Sequence, residues 1–381
     1  MNDRLARATL TAIAEPGDTL MGRLIHAAGP TGALEAVRTT QPPEELTTNR
    51  QELKRLITRL ESWRIKLSAC DPAADLAIAE RLNIRLVCPG EPEWPTTLDD
   101  LHHDRPYALW IRGSGDLRYT CLRSVAVVGS RAASAYGIRV ASELASELAE
   151  QGWAVISGGA MGIDAAAHRG ALAVDGPTVA VFANGVDVPY PACNDGLFTE
   201  MAARSLLVSE SPPGVHPTRL RFLVRNRVIA ALSRGTVVVE AARRSGALGT
   251  ASWARKLGRV LMAVPGPVHS IASVGCHRLI REDATLVTCP AEVIEAVGRI
   301  GADLAPEPAA PVLPRDKLDQ TTRAVLEAIP ARGPTGPAQI AAKAGVDLPT
   351  VNGKLGLLSA AGFVERAPGG WRLTKTAKSR Q

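Results

Sequence analysis

The chain has 381 residues, 46% of them apolar and 22% charged, which is room for two or three domains and a large core. No run reaches the ~18 apolar residues of a membrane span. Met1 to Glu15 is a charged amphipathic pattern rather than a secretory leader, so a cytoplasmic protein with no membrane partner is expected. The six cysteines are scattered, with no C-x-x-C, which argues against a zinc site or a disulfide framework and suits a reducing compartment.

The net charge is +6, and all of it comes from one end. Residues 315–381 hold eleven Lys/Arg against five Asp/Glu, while residues 1–314 hold 33 of each. A body without a broad basic surface can bind nucleic acid only through a local groove. Aromatic residues make up 4%, which argues against a long stacking platform for single strands.

Residues 1–80 read as a helical domain. Leu5 to Ile13 is one helix, and Asp18 caps a second over Thr19 to Ala27. Gly29-Pro30-Thr31-Gly32 breaks the pattern before Ala33 to Val37 resumes it. Helix, glycine turn, helix has the form of helix-hairpin (SAM-like) modules that hold a DNA backbone; it is also the form of plain helical packing, the reading we favour here. Glu44 to Leu67 is a longer amphipathic helix, and Asp75 to Arg81 a short one.

Residues 81–300 alternate between strand and helix. Ile84 to Val87 and Tyr107 to Ile111 are short strands that extend one edge of a central sheet. Val125 to Val128 is an apolar, β-branched run ending at Gly129-Ser130, which reads as a buried parallel strand. Arg139 to Gln151 is an amphipathic helix, and Trp153 to Ile156 is a second buried strand ending at Gly158-Gly159. This is a βαβα unit of an open α/β sheet. Further strands follow at Thr178 to Ala183, Ser205 to Val208, Thr236 to Val239 and Val260 to Val264, and the tail of the domain runs through Ala284 to Val287 into a helix ending near Val297. A helix with a polar head, Phe222 to Ser233, sits among them.

Ala302 to Pro314 is part of a Pro/Ala linker over residues 301–314. Residues 315–381 give helices at Leu318 to Ile329, Pro337 to Ala344 and Pro349 to Ala361. A hairpin over Phe363 to Leu373 follows, and the order is that of a winged helix. The third helix has one cation, Lys354, whereas Arg366, Arg372, Lys375, Lys378 and Arg380 make the wing and tail basic. Duplex contact through the wing and docking of a protein are both open.

Four segments converge at the carboxyl edge of the sheet, where ligands of such folds collect. They are Gly129-Ser130-Arg131, Ser157-Gly158-Gly159-Ala160-Met161-Gly162, Arg225-Asn226-Arg227, and Ser245-Gly246 with Thr250. Backbone N–H groups at glycine turns, hydroxyls and forked guanidinium groups are a phosphate-reading set. Neither G-x-G-x-x-G nor G-x-x-x-x-G-K-[ST] occurs, and the glycines could serve only to make tight turns. Asp164 and His168 stand four apart on one helical face, as an acid/base pair could. No second carboxylate or nucleophile joins them, so we read them as residues that hold neighbouring loops.

Nine linked motifs run through residues 100–290. They are V-A-V-V-G-S-R, S-G-G-A-M-G-I-D-A-A-A-H, Y-P, Ser209-Glu210, R-N-R-V-I-A-A-L-S, V-V-V-E-A, S-G-A-L-G-T-A, A-V-P-G and G-C-H-R-L-I. In this order they resemble the DNA-processing protein A (DprA/Smf) family. The resemblance implies an extended Rossmann-like central domain, flanked by an N-terminal helical domain and a C-terminal winged helix. It implies a homodimer that binds and protects single-stranded DNA and loads the RecA recombinase onto it in natural transformation and homologous recombination. Single-strand-binding protein is a further implied partner; no cofactor, metal or catalytic residue is implied. By the matching motifs, DNA contact falls to Gly129, Ser130, Arg131, Ser157, Gly158, Gly162, Arg225, Asn226, Arg227, Ser245 and Gly246. Two positions depart from the family pattern: His277 replaces an Asn, and Asp283-Ala284 replaces Gly-Ala.

The competing reading is an enzyme. Lysine-decarboxylase-like nucleotide phosphoribohydrolases share this core and carry P-G-G-x-G-T-x-x-E. Here Ser245 stands at the Pro and Trp253 at the catalytic Glu, so the hydrolysis would lack its carboxylate.

Overall fold

The computed structural model describes residues 2–46, 50–298, 303, 305 and 317–374. The chain divides into two compact units, Met1–Pro306 and Glu307–Gln381. Apart from 303 and 305, the expected linker lies outside the described residues, as do Lys375, Lys378 and Arg380 of the basic tail.

The first unit opens with helices α1 (Asp3–Ile13), α2 (Thr19–Thr39), α3 (Arg50–Ala69) and α4 (Pro72–Arg81). The Asp18 carboxylate caps α2 by accepting from the Leu20 N–H at 3.1 Å. The break expected at Gly29-Pro30 is a kink inside α2: Gly29 takes φ 68°, ψ 172°, because the ring of Pro30 disfavours helical backbone in the residue before it. Leu10, Leu24, Leu34, Leu60 and Trp63 make a core of their own, which Tyr107 joins. Arg7 donates to the Tyr107 carbonyl at 2.8 Å and the Trp110 indole to Thr11 at 3.3 Å, and these bonds fasten α1 to the sheet.

A nine-stranded sheet follows. In chain order its elements are β1 (Ile84–Val87), β2 (Leu109–Gly113), α5 (Leu117–Cys121), β3 (Ser124–Val128), α6 (Ala135–Glu150), β4 (Ala154–Ser157), α7 (Ile163–Ala173), β5 (Thr178–Phe182), α8 (Asp195–Arg204), β6 (Leu206–Ser209), α9 (Arg219–Leu232), β7 (Gly235–Val238), α10 (Ala247–Lys256), β8 (Val260–Ala263), α11 (Val274–Arg281), β9 (Thr285–Leu286) and α12 (Pro290–Val297). The spatial order is β1-β2-β6-β5-β4-β3-β7-β8-β9. The β1 and β2 strands are antiparallel additions at one edge, and β3 to β9 are parallel. On one face α9, α10 and α11 cover Val128, Val208 and Val238; on the other, α6, α7 and α12 cover Val127, Val155 and Val237.

The strand order reverses its direction of growth at β3, since the chain adds β4, β5 and β6 on one side and β7, β8 and β9 on the other. Turns leaving β3 and β7 therefore diverge toward opposite faces and open a crevice between them.

The second unit holds α13 (Gln320–Glu327), α14 (Pro337–Ala344), α15 (Leu348–Ala360) and the strands β10 (Val364–Ala367) and β11 (Gly370–Leu373). The two strands pair as an antiparallel hairpin. Its turn needs glycine, since Gly369 and Gly370 have φ of 91° and 138°. Val325, Ile340, Val351, Leu355, Leu358, Val364 and Leu373 fill the core.

Candidate functional site

The crevice at the β3/β7 switch point is a groove of about 650 Å³, lined by the turns after β3 and β7 and by one face of α9. Three close approaches shape its floor. Gly129 follows β3 so tightly that a Cβ there would meet Ile163 at 2.6 Å. Gly162, at φ 78°, lets α7 start against the Ser130 and Arg131 carbonyls, and the Ile163 N–H donates to Ser130 O at 3.2 Å. Gly158 lies under the Arg225 guanidinium, which a Cβ would overlap.

Two buried carboxylates organise these turns. Asp164 accepts from the N–H groups of Gly158 at 3.2 Å and Ala160 at 3.3 Å. Burial pushes its pKa up, against the pull of Arg225 and those N–H groups. Glu240, at the end of the β7 segment, accepts from the Ser134 N–H at 2.9 Å and hydroxyl at 2.5 Å, while Ser134 caps α6. Both acids are thus engaged as internal acceptors. His168 is fully buried with its Nδ1 2.7 Å from the Thr178 hydroxyl. Asp164 and His168 hold their surroundings in place, as the sequence reading favours.

The cations divide into a buried floor and exposed walls. Arg225 is 5% exposed, donates from Nη1 to the Val181 carbonyl, and has an unpartnered buried Nε. Burial lowers its pKa to about 10, so it stays charged at neutral pH. Arg131 is exposed, with its guanidinium 4.8 Å above the Phe222 ring centroid. Arg219 and Arg244 are exposed on the walls and form no ion pair among the described residues. Asp164 is the one acid among the lining residues, so the groove is electropositive. Phe222 and Tyr190 stand together, ring centroids 5.6 Å apart.

Of the residues expected at the site, Gly129, Ser130, Arg131, Arg225, Asn226, Ser245 and Gly246 line this groove. Asn226 donates to the Gly246 carbonyl at 3.2 Å and so fixes the spacing between α9 and the β7 turn. Arg225 and Asn226 lie within α9.

Four residues have other places. Ser157 is fully buried and its hydroxyl donates to the Val127 carbonyl at 2.7 Å. Gly158 and Gly162 serve the close approaches described above. Arg227 is 1% exposed and makes a two-pronged ion pair with Glu210, both contacts 2.6 Å. Its Nε donates to the Asp104 carbonyl at 2.7 Å. Burial opposes its charge, but Glu210 outweighs burial and raises the pKa. On a 100°-per-residue helix, Arg227 turns toward the interior when Asn226 faces the groove.

The sequence reading omits Arg219, Phe222, Arg244 and Tyr190. Helical spacing was the available signal for the first two, because Arg219, Phe222, Asn226 and Ile229 recur at steps of three and four and all line the groove. At the two departures, His277 Nε2 lies 3.0 Å from the Gly266 carbonyl, and Asp283 adopts φ 71°. Trp253 carries the Lys256 ammonium 4.0 Å over its ring.

A family model described as DNA recombination-mediator protein A matches residues 85–298. A Mycobacterium tuberculosis relative, provisionally named a DNA processing protein DprA, is 43% identical over 390 aligned positions, covering 98% of this chain and 96% of its own length. Protein Smf of Escherichia coli is 38% identical over 273 positions, or 70% of this chain and 72% of its own. Among solved structures, DNA processing protein A from Streptococcus pneumoniae matches with a TM-score of 0.62 at 29% identity, covering 78% of this chain and 99% of that one. The Helicobacter pylori protein of the same name, solved to describe its single-stranded DNA binding mode, matches with a TM-score of 0.51 at 29% identity, covering 56% of this chain and 95% of that one.

Proposed function

The chain belongs to the DNA recombination-mediator protein A family, and from that premise we propose that its groove binds single-stranded DNA. One observation carries the reading: Arg131, Arg219, Arg225 and Arg244 meet two glycine turns and a Tyr190–Phe222 pair in a single groove. Guanidinium groups and turn N–H groups suit phosphates, and aromatic faces accept any base. Binding is then sequence-tolerant and weakens with salt. The single-stranded DNA binding of the Helicobacter pylori relative supports the same use of this fold.

In this reading the protein protects the strand and acts as a homodimer that brings two grooves to it. It then passes the strand to the RecA recombinase, with single-strand-binding protein as a further partner. The order of three helices and a hairpin in the second unit fits a winged helix. The one cation of α15, Lys354, is paired with Asp319 at 3.1 Å, and Arg372 of the hairpin is paired with Glu365 at 2.7 Å.

The test is a salt series with labelled single-stranded and double-stranded oligonucleotides, using wild type and Arg131→Ala. Strand-selective binding that the substitution weakens at least tenfold, equally for all base sequences, is the expected result. Equal affinity for both DNA forms, or a loss confined to one base sequence, would sink the reading.

A further inference from the structure

A second basic cavity lies in the first unit, away from the groove. It has about 500 Å³ and is enclosed by α1, α2 and the turn segment Thr96–Asp104 with the residues just after it. Arg7 of α1 lies in its wall. This guanidinium is 9% exposed, donates from Nη1 to the Tyr107 carbonyl at 2.8 Å, and forms no ion pair among the described residues. Burial lowers its pKa, against the pull of Asp3 and Glu91 nearby, and the side chain borders the cavity.

Histidines complete the wall. His26 of α2 and His103 meet edge to face, with ring centroids 5.4 Å apart at 78°. The two elements are in backbone contact, since a Cβ on Gly22 would overlap the His103 carbonyl. Beside them His102 takes φ 50°, ψ −116°, a backbone that non-glycine residues rarely adopt. The only carboxylate in the wall is Asp99, and it is already engaged. It accepts from the Trp94 indole at 3.2 Å and from Arg105 at 2.8 Å.

Basic walls, a buried guanidinium outside any direct ion pair and an acid that is already bonded suit an anion. A metal is a poorer fit, because no group of three His, Cys, Asp or Glu side chains among the described residues is arranged to hold one. The volume suits a small ligand of nucleotide size, and a guanidinium fork with imidazole N–H donors matches a terminal phosphate. We propose that this cavity binds a phosphomonoester, either of a free nucleotide or of the end of a DNA strand, with Arg7, His26 and His103 around the phosphate. The site is independent of the groove and does not rest on its reading.

Anion binding beside the histidine pair should take up a proton. The groups facing the histidine pair are Arg7 from α1, Arg23 from α2, and Asp99, His102, Asp104 and Arg105 from the turn segment and its end. Burial first, then His26, Arg23 and His102, lowers the His103 pKa. That shift favours the neutral imidazole in the free protein, and an anion beside it favours the protonated form.

Calorimetry on the full chain at pH 7 tests this with adenosine 5′-monophosphate, adenosine, inorganic phosphate, and short oligothymidylates with 5′-phosphate or 5′-hydroxyl ends. The proteins are wild type, Arg131→Ala, and the double variant His26→Asn/His103→Asn, whose exposed positions spare the core. We expect the monophosphate to bind at least tenfold more tightly than adenosine, with a buffer-dependent heat that reports proton uptake. Arg131→Ala keeps this binding and the histidine variant loses it tenfold or more at an unchanged melting temperature. A preference for the 5′-phosphorylated strand identifies a strand end as the source; equal binding of the two strands identifies the free nucleotide. Absence of any phosphate-dependent binding overturns the proposal, and so does binding that Arg131→Ala removes or that the histidine variant leaves intact.

Discussion

Gly158 and Arg225 are packed face to face, so that a single methyl group on the glycine would occupy the space of the guanidinium. The second glycine turn and the groove floor are therefore one construction. Gly158→Ala should push Arg225 off the Val181 carbonyl and lower strand affinity at least tenfold, with a stability loss of about 1–3 kcal/mol from overpacking. Urea unfolding and oligonucleotide titration separate the two effects. Unchanged affinity would show that Arg225 is not needed where it stands.

The exposed arginines make a graded prediction. Arg219→Ala and Arg244→Ala each remove one exposed cation from the groove wall. Each should reduce the slope of log affinity against log salt by about 0.7, the value for one phosphate contact on a single strand. The double variant should lose about twice that. Slopes equal to wild type would place both side chains outside the strand's path.

Arg227 behaves differently from its neighbours. Arg227→Met leaves Glu210 buried and unpaired and should cost about 3–5 kcal/mol in urea unfolding. Arg227→Met with Glu210→Met should recover most of that. Strand affinity of the double variant should stay within about twofold of wild type; a tenfold loss would restore Arg227 to the site.

His168 sets an acid limit on stability. Burial lowers its pKa from 6.5 to about 3, so the folded protein keeps it neutral while the unfolded chain takes up a proton below pH ~6.5. The unfolded state then binds more protons, and stability falls as pH falls, by about 1.4 kcal/mol per unit between pH 6.5 and 3. From pH 7 to 5, wild type should lose about 2 kcal/mol more than His168→Leu, which has no proton to gain. Equal losses in the two proteins would show that the imidazole titrates normally.

The sheet was legible because its strands are short apolar runs closed by turn residues; Val125–Val128 stops at Gly129 and Ile84–Val87 just before Pro89-Gly90. The groove was half legible. Gly129, Gly158 and Gly162 stand out in sequence, but nothing local says which approach a ligand and which approach another turn. Arg225, Asn226 and Arg227 read alike as neighbours, and they are separated by helical rotation and by Glu210 at the end of a different strand. Tyr190 and Phe222 escaped because whole-chain aromatic content averages out two rings that a long loop and a helix bring together. The cavity beside Arg7 was invisible, since it joins residues about a hundred positions apart.

Gly162 abuts the Ser130 and Arg131 carbonyls, and this contact bears on any attempt to move the groove to another scaffold. Neither turn keeps its shape without the other. A graft onto a foreign parallel sheet would have to carry β3, β4, both turns and the start of α7 together, whereas Arg219 and Arg244 could be exchanged singly to retune it.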